Sequence, residues 1–196
     1  MKVTTLASAV CSTLAVAATA AFAAPVTYNI DSAHTYPSFE ADHMGGLSVW
    51  RGKFNGTTGK IVYDKEAKSG TVDITIDTTT LDFGNDKLND HAKKDDAMFT
   101  VEKYPTASYK GTLAKFVNGA PTEVQGDLTL HGVTKPVTLK INSFLCKQHP
   151  MTKKEVCGAD ASATINRSDF GITYGANFGF KPEVKLLIQV EAGIAS

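Results

Sequence analysis

The stretch VQGDLTLHGVTKPVTLKINSFL, residues 124–145, decides the fold. Leu128 and Leu130 share one face of its first half, with Asp127 and Thr129 on the other. Val137, Leu139 and Ile141 share one face of its second half, with Thr138, Lys140 and Asn142 opposite. A two-residue period on both sides of a break predicts an antiparallel hairpin with one apolar face. The break, residues 131–136, holds Gly132 and Pro136. Proline has no N–H to give to a ladder, so Pro136 suits a strand start. No catalytic motif lies in the stretch, so function has to come from what such strands build together.

The period recurs on either side. Residues 26–30 put Tyr28 and Ile30 on one face, and residues 35–42 put Phe39 and Ala41 on one face. Residues 49–63 are long for one strand, with Gly52, Gly56 and Gly59 spaced for bends or bulges. Residues 71–78 alternate Val72, Ile74 and Ile76 against Asp73, Thr75 and Asp77. Strands are also expected over 107–116, 159–166 and 184–192. The period fails over 85–98, where Asn85 or Asp86 caps a short helix near 86–96, with Leu88, His91 and Ala92 on one side. Residues 170–180 read as a loop rich in Gly and Phe. Eight or nine short strands with one helical insert predict a single all-β antiparallel domain, a sandwich or a barrel. Small residues on the inward faces, among them Ala41, Gly52, Ala107, Gly111, Ala161 and Ala192, favour a barrel with a hollow, because a solid core needs larger groups. The alternative is that they relieve tight curvature. An eight-stranded barrel has room for one small ligand among its side chains.

The chain has 196 residues, a length suited to one domain. Lys2, an uncharged run over 6–22 and Ala21-Phe22-Ala23 form a secretory signal, cleaved after about Ala23 to leave residues 24–196 as the domain. The signal contains one of the 20 basic residues, so 19 remain against 20 acidic ones. This balance gives no basic excess for nucleic acid. No other apolar stretch is long enough to span a bilayer, so no stable membrane insertion is expected. Cys146 and Cys157 remain in an oxidising compartment and predict a disulfide. A metal or redox pair with His149 nearby is the alternative. The histidines lack metal-ligand spacing, so no metal is assigned. There is no Gly-x-Ser-x-Gly elbow. Gly59-Lys60 lacks the earlier glycine and the following hydroxyl of a phosphate loop, with Phe54 and Ile61 at those positions. No catalytic residue and no cofactor are assigned.

Several segments in fixed order carry a resemblance. They are Tyr28-Asn29-Ile30-Asp31 with His34, then Gly52 and Phe54, then Glu102-Lys103-Tyr104-Pro105 with Ala107-Ser108-Tyr109. Gly126-Asp127-Leu128-Thr129-Leu130-His131-Gly132-Val133-Thr134 and Ile165-Asn166-Arg167 with Asp169-Phe170-Gly171 follow. Together they resemble the YceI family of bacterial periplasmic proteins. The resemblance implies a periplasmic location and an extended, lipocalin-like, eight-stranded antiparallel barrel. It implies an isoprenoid lipid inside, either a polyprenyl phosphate or the tail of an isoprenoid quinone. Phe39, Phe54, Ile74, Ile76, Tyr109, Leu128, Leu130 and Ile165 would then line the tunnel. Arg51, Lys53 and Arg167 are head-group candidates, since a guanidinium grips phosphate bidentately. Arg167 has a plainer reading, pairing with Asp169 or capping a turn, and Asp31 with His34 would fix the end of the first strand by hydrogen bonds. The sequence departs from the family pattern at Ala92, where a bulkier apolar residue is usual, at Pro37, which interrupts the second strand, and in its cysteine pair. Two other functions stay open: an enzyme or accessory factor of isoprenoid or quinone metabolism using the same pocket, and a stress-induced structural protein without a ligand. A homodimer also stays open.

Overall fold

The computed structural model describes residues 24–195. The signal segment expected at the N-terminus lies outside the described residues. The chain forms β1 (Val26–Ile30), β2 (Tyr36–His43), β3 (Ser48–Phe54), β4 (Thr57–Asp64), β5 (Ser69–Asp77) and β6 (Leu81–Asp82). One helix follows, α1 (Asp86–Lys94), and then β7 (Thr106–Val117), β8 (Ala120–Leu130), β9 (Val133–Gln148), β10 (Glu155–Asn166) and β11 (Glu183–Ile194). All strand pairs are antiparallel, and pairing of β1 with β11 closes the sheet into a barrel.

Eleven strands make eight staves of that barrel. β1 and β2 lie end to end along β11, with Ile30 opposite Ala192 and Tyr36 opposite Gln189. β3 and β4 lie end to end against them, with Lys53 opposite Ser38 and Lys60 opposite Asn29. The long run expected over 49–63 is therefore two half-staves, broken at Asn55-Gly56. Pro37 does not interrupt the second strand. It is buried as the second residue of β2, opposite Ile188.

The hairpin at 124–145 is tighter than its sequence suggests. Its turn is His131-Gly132 alone, with φ of 52° and 75°, the paired positive values that a two-residue hairpin turn favours. β9 begins at Val133, so Pro136 lies inside it, opposite Asp127, and not at its start. The ladder from β10 reaches β9 only from Lys140 onward, so the other side of the strand is open at Pro136. One step back, Gly126 faces Gly111 across β7 and β8. A Cβ on Gly126 would stand 2.3 Å from the Lys110 carbonyl oxygen, so the two backbones approach there as only glycine permits.

At one end of the barrel β9 and β10 are joined by the Cys146–Cys157 disulfide, directly across the ladder. Beside it Tyr28 and Tyr63 are almost fully buried, packed with Phe116 and Phe144. The bridge closes a loop with a sequence separation of 11. In the chain-entropy picture a loop this short contributes about 2–3 kcal/mol. Replacing both cysteines by serine should lower the unfolding free energy by about that amount in guanidinium titrations, with the far-ultraviolet circular dichroism of the folded protein unchanged. An unchanged midpoint would show that the β9–β10 ladder holds this end alone.

Candidate functional site

The inward side chains of the staves enclose two apolar chambers. The lower has a volume of about 180 Å³ and the upper about 110 Å³. A single water needs only about 10–15 Å³ of such space. Phe39, Phe54, Leu130 and Leu186 line both and stand between them. The expectation of a hollow barrel, drawn from the small inward residues, holds. Ala107, Ala161 and Ala192 line the lower chamber and Ala41 the upper. Gly52 lies beneath Phe39, where a Cβ would meet the ring edge at 2.5 Å.

Of the tunnel residues named from sequence, Phe39, Phe54, Ile74, Ile76, Tyr109, Leu128 and Leu130 line the lower chamber. Ile165 lines the upper. The alternation along β5 and β8 carries them inward, as their period requires. The lower chamber holds almost no free polar chemistry. The Tyr109 hydroxyl is bound to the carbonyls of Val124 and Val137, at 3.0 and 2.8 Å, and so ties β8 to β9. Burial pushes its pKa up to about 12. The Thr57 hydroxyl, on a residue 1% exposed, is the one buried side-chain polar atom without a partner among the described residues.

The head-group candidates part company. Arg51 and Lys53 face outward on β3, because Trp50, Gly52 and Phe54 take its inward positions. Arg51 pairs with Glu40 at 2.9 Å, and Lys53 lies over the Tyr36 ring at 5.2 Å. Arg167 lines the upper chamber. Its Nη1 donates to the Ile172 carbonyl at 3.1 Å, so it caps a turn and does not pair with Asp169. Burial pushes its guanidinium below the usual value, and the charge of Asp42 opposes that shift.

The sequence reading missed most of the upper chamber. Its walls are aromatic: Trp50, Phe83, Phe99, Tyr174 and Phe180 join Phe39 and Phe54. Phe83 meets Phe39 edge-on at 5.6 Å, Phe99 meets Phe54 at 5.7 Å, and Trp50 stacks on His43 at 4.3 Å. Segments outside the staves roof it: α1 with the residues after it, the 173–181 loop and the β2–β3 turn. Asn85 caps α1 by accepting from the Leu88 N–H, and Asn89 accepts from the Phe83 N–H at 2.7 Å, which fixes that ring. Ala92, fully buried, seats the helix on the core. Tyr174 and Thr173 both donate to the Ala97 carbonyl, which ties the 173–181 loop to the segment after α1. The Asp42 carboxylate accepts from the N–H groups of Lys181 and Gly45, joining that loop to the β2–β3 turn. Those bonds hold its carboxyl below the usual range. Only Trp50 was readable beforehand, from its alternation with Gly52 and Phe54.

Three histidines are hydrogen-bonded to neighbouring groups. His34 Nδ1 meets Asp31 at 2.8 Å and holds the end of β1, as expected. His131 bridges Thr100 and the Phe170 carbonyl. His149 accepts from the N–H groups of Met151 and Thr152, and the sulfurs of the cysteine pair are bonded to each other.

A family profile described as YceI-like domain matches residues 28–192. A UPF0312 protein of Pseudomonas aeruginosa is 34% identical over 176 residues, 88% of this chain and 90% of the relative. Protein YceI of Escherichia coli O157:H7 is 34% identical over 167 residues, 84% of this chain and 85% of the relative. Among solved structures, Burkholderia cenocepacia BcnA superposes with a TM-score of 0.65 at 21% identity, covering 83% of this chain and 99% of its own. A polyisoprenoid binding domain from Saccharophagus degradans superposes with a TM-score of 0.62 at 16% identity, covering 87% and 99%. Both share the fold.

The buried phenols make the site sensitive to alkali. Burial raises the pKa of Tyr109, of Tyr63 and of Tyr28, the last also through its hydrogen bond to Glu155. An unfolded tyrosine ionises near 10, so below that pH both states are protonated and these groups add no pH dependence. Above it the unfolded chain ionises first and gains. These groups should therefore leave the unfolding free energy unchanged below about pH 9 and make it fall from pH 10 to about 12, with Tyr109→Phe showing a shallower fall. Equal slopes in urea titrations of the two proteins would show that Tyr109 ionises freely in the folded state.

Proposed function

The chain belongs to the YceI-like domain family, and on that premise we propose that it is an exported, periplasmic protein that binds an isoprenoid lipid. The apolar tail fills the lower chamber and the head group lies in the upper. The observation that carries this reading is the pairing of an almost wholly apolar chamber with an aromatic one bearing Arg167 and Asp42. Each buried methylene contributes roughly 0.8 kcal/mol, so one five-carbon prenyl unit contributes up to about 4 kcal/mol from area alone. The polyisoprenoid-binding description of the Saccharophagus domain supports the same ligand class.

Of the two head groups, the flat and neutral ring of an isoprenoid quinone suits the upper chamber better than a phosphate. Arg167 is the one cationic side chain among its described lining residues, and Asp42 shares the chamber with it. A phosphate would bring more negative charge to a site that already holds a carboxylate. Aromatic walls with ring centroids 5.6–6.1 Å apart offer stacking and edge contacts to a flat ring. Binding without turnover is the favoured reading. The Tyr109 phenol is held protonated between two carbonyls, and Arg167 and Asp42 are anchored by backbone groups.

Native mass spectrometry of gently purified protein, followed by lipid extraction, tests the proposal. The expected result is a bound prenyl lipid, or uptake of added isoprenoid quinone by the emptied barrel. A barrel that is purified empty and takes up neither quinone nor polyprenyl phosphate sinks it. Leu130→Arg places a charge where both chambers meet and should weaken uptake on the order of tenfold or more while the barrel stays folded. Unchanged affinity would remove Leu130 from the ligand's path.

A further inference from the structure

We propose that the loops over the upper chamber dock on an anionic phospholipid surface, so that the lipid guest enters the barrel from the bilayer through this end. The inference rests on the lipid-binding reading and adds where the lipid comes from. Four large apolar side chains are exposed there: Met44 at 53%, Leu47 at 72%, Val49 at 49% and Phe178 at 73%. They come from two segments far apart in sequence, the β2–β3 turn with the start of β3, and the 3-10 turn Ala176–Phe178. The backbone beneath them is fixed. Asp42 binds Gly45 and Lys181 together, Leu47 donates to the His43 carbonyl at 3.0 Å, and a Cβ on Gly45 would lie 3.3 Å from the Gly179 oxygen. Apolar groups held outward on ordered turns are matched to an apolar partner and not to water.

The patch continues inward. Trp50 and Phe180, half-buried, lie directly beneath it and form walls of the upper chamber. An apolar path thus runs from the outer surface into the tunnel. Charge selects the kind of surface. Val49, Arg51 and Lys53 alternate on the outer face of β3, so an apolar tip stands above two cations, of which Arg51 is paired with Glu40 at 2.9 Å, and exposed Lys181 follows Phe180 on the other loop. An apolar tip with cations behind it is the arrangement that interfacial segments use on anionic lipid. No helix among the described residues is long and apolar enough to cross a membrane.

The opposite end supplies the control. Val117, Leu145 and Met151 are also exposed there, at 57%, 62% and 82%. The tunnel is shut at that end by Tyr28 and Tyr63, 1% and 4% exposed. Their hydroxyls are bound to Glu155 and to the Gly119 carbonyl.

Trp50 is the chain's one tryptophan and reports on the port. Vesicles of equal parts phosphatidylethanolamine and phosphatidylglycerol should co-sediment the protein and shift its fluorescence to the blue, and brominated acyl chains should quench it. Vesicles of phosphatidylcholine alone should bind less. The Leu47→Asp/Phe178→Asp protein should lose vesicle partitioning on the order of tenfold or more, since two exposed apolar anchors are removed. It should keep its circular dichroism and its uptake of quinone added from ethanol. Val117→Asp/Met151→Asp should partition like the unaltered protein. The proposal falls if the unaltered protein ignores vesicles, if both double variants lose binding equally, or if light scattering shows that Leu47→Asp/Phe178→Asp only separates a dimer. Quinone uptake without vesicle binding overturns the docking alone. Vesicle binding without uptake of any prenyl lipid overturns the lipid-carrier reading alone.

Discussion

Everything in this barrel depends on one seam, where β11 meets β1 and β2 together. A sheet that fails to close leaves a row of unpaired backbone groups and an open hollow. β11 is long enough to serve two short strands, and the kink between them is satisfied by local groups. The Asp31 N–H donates to the Glu191 carbonyl at 2.9 Å. The Thr35 hydroxyl donates to the same carbonyl and accepts from the Glu191 N–H, so a side chain stands in for the missing ladder. Asp31 and His34 fix the turn from outside. With the seam closed, every stave has two neighbours over part of its length, and the strand period has only one meaning, inside or outside.

That period also explains why the interior is hollow. Each stave turns alternate residues inward, and several of those are alanine or glycine. Eight staves enclose more space than such side chains can fill to the density of a core. The larger groups, Phe39, Phe54, Leu130 and Leu186, gather at one level and divide the hollow into two. The polar groups that the fold needs inside are committed to backbone. Tyr109 joins β8 to β9, and Arg167 caps its own turn. The interior is therefore rigidly built and yet not full, the usual character of a ligand pocket.

Strand alternation made much of this legible in the sequence. The hairpin at 124–145, the inward faces of β5, β8 and β11, the cap at Asn85 and the cysteine pair were all readable, because each rests on neighbours close in sequence. The break at Asn55-Gly56 was not. Gly52, Gly56 and Gly59 look alike in sequence, yet only Gly56 sits where the chain leaves one half-stave for the next. Pro136 misled for a related reason: whether a strand tolerates proline depends on where its second neighbour begins, which is tertiary information. The roof of the upper chamber was the least readable part. Phe83, Phe99, Tyr174 and Phe180 come from segments with no period, and bonds such as Tyr174 to Ala97 bring them together. Arg51 and Lys53 teach the converse. Their own alternation with Trp50, Gly52 and Phe54 already turns them outward.

The two ends of the tunnel differ in a way that gives it a direction. At the disulfide end the polar atoms are already matched: Tyr28 to Glu155, Glu155 to Lys65 at 2.6 Å, and Tyr63 to Gly119. A polar head pushed to that end would lose its hydration and find no free partner, which costs more than any contact there returns. At the other end Arg167 uses one N–H on Ile172 and keeps the rest of its donor fork available beside the chamber. The aromatic groups there are half-buried and stand at the edge of solvent, where an amphipathic guest would change character from tail to head. A chain with one polar end can satisfy both conditions in only one orientation, tail toward the tyrosines and head beneath the roof. The asymmetry that would orient such a guest is the same one that places the exposed apolar turns at the upper end.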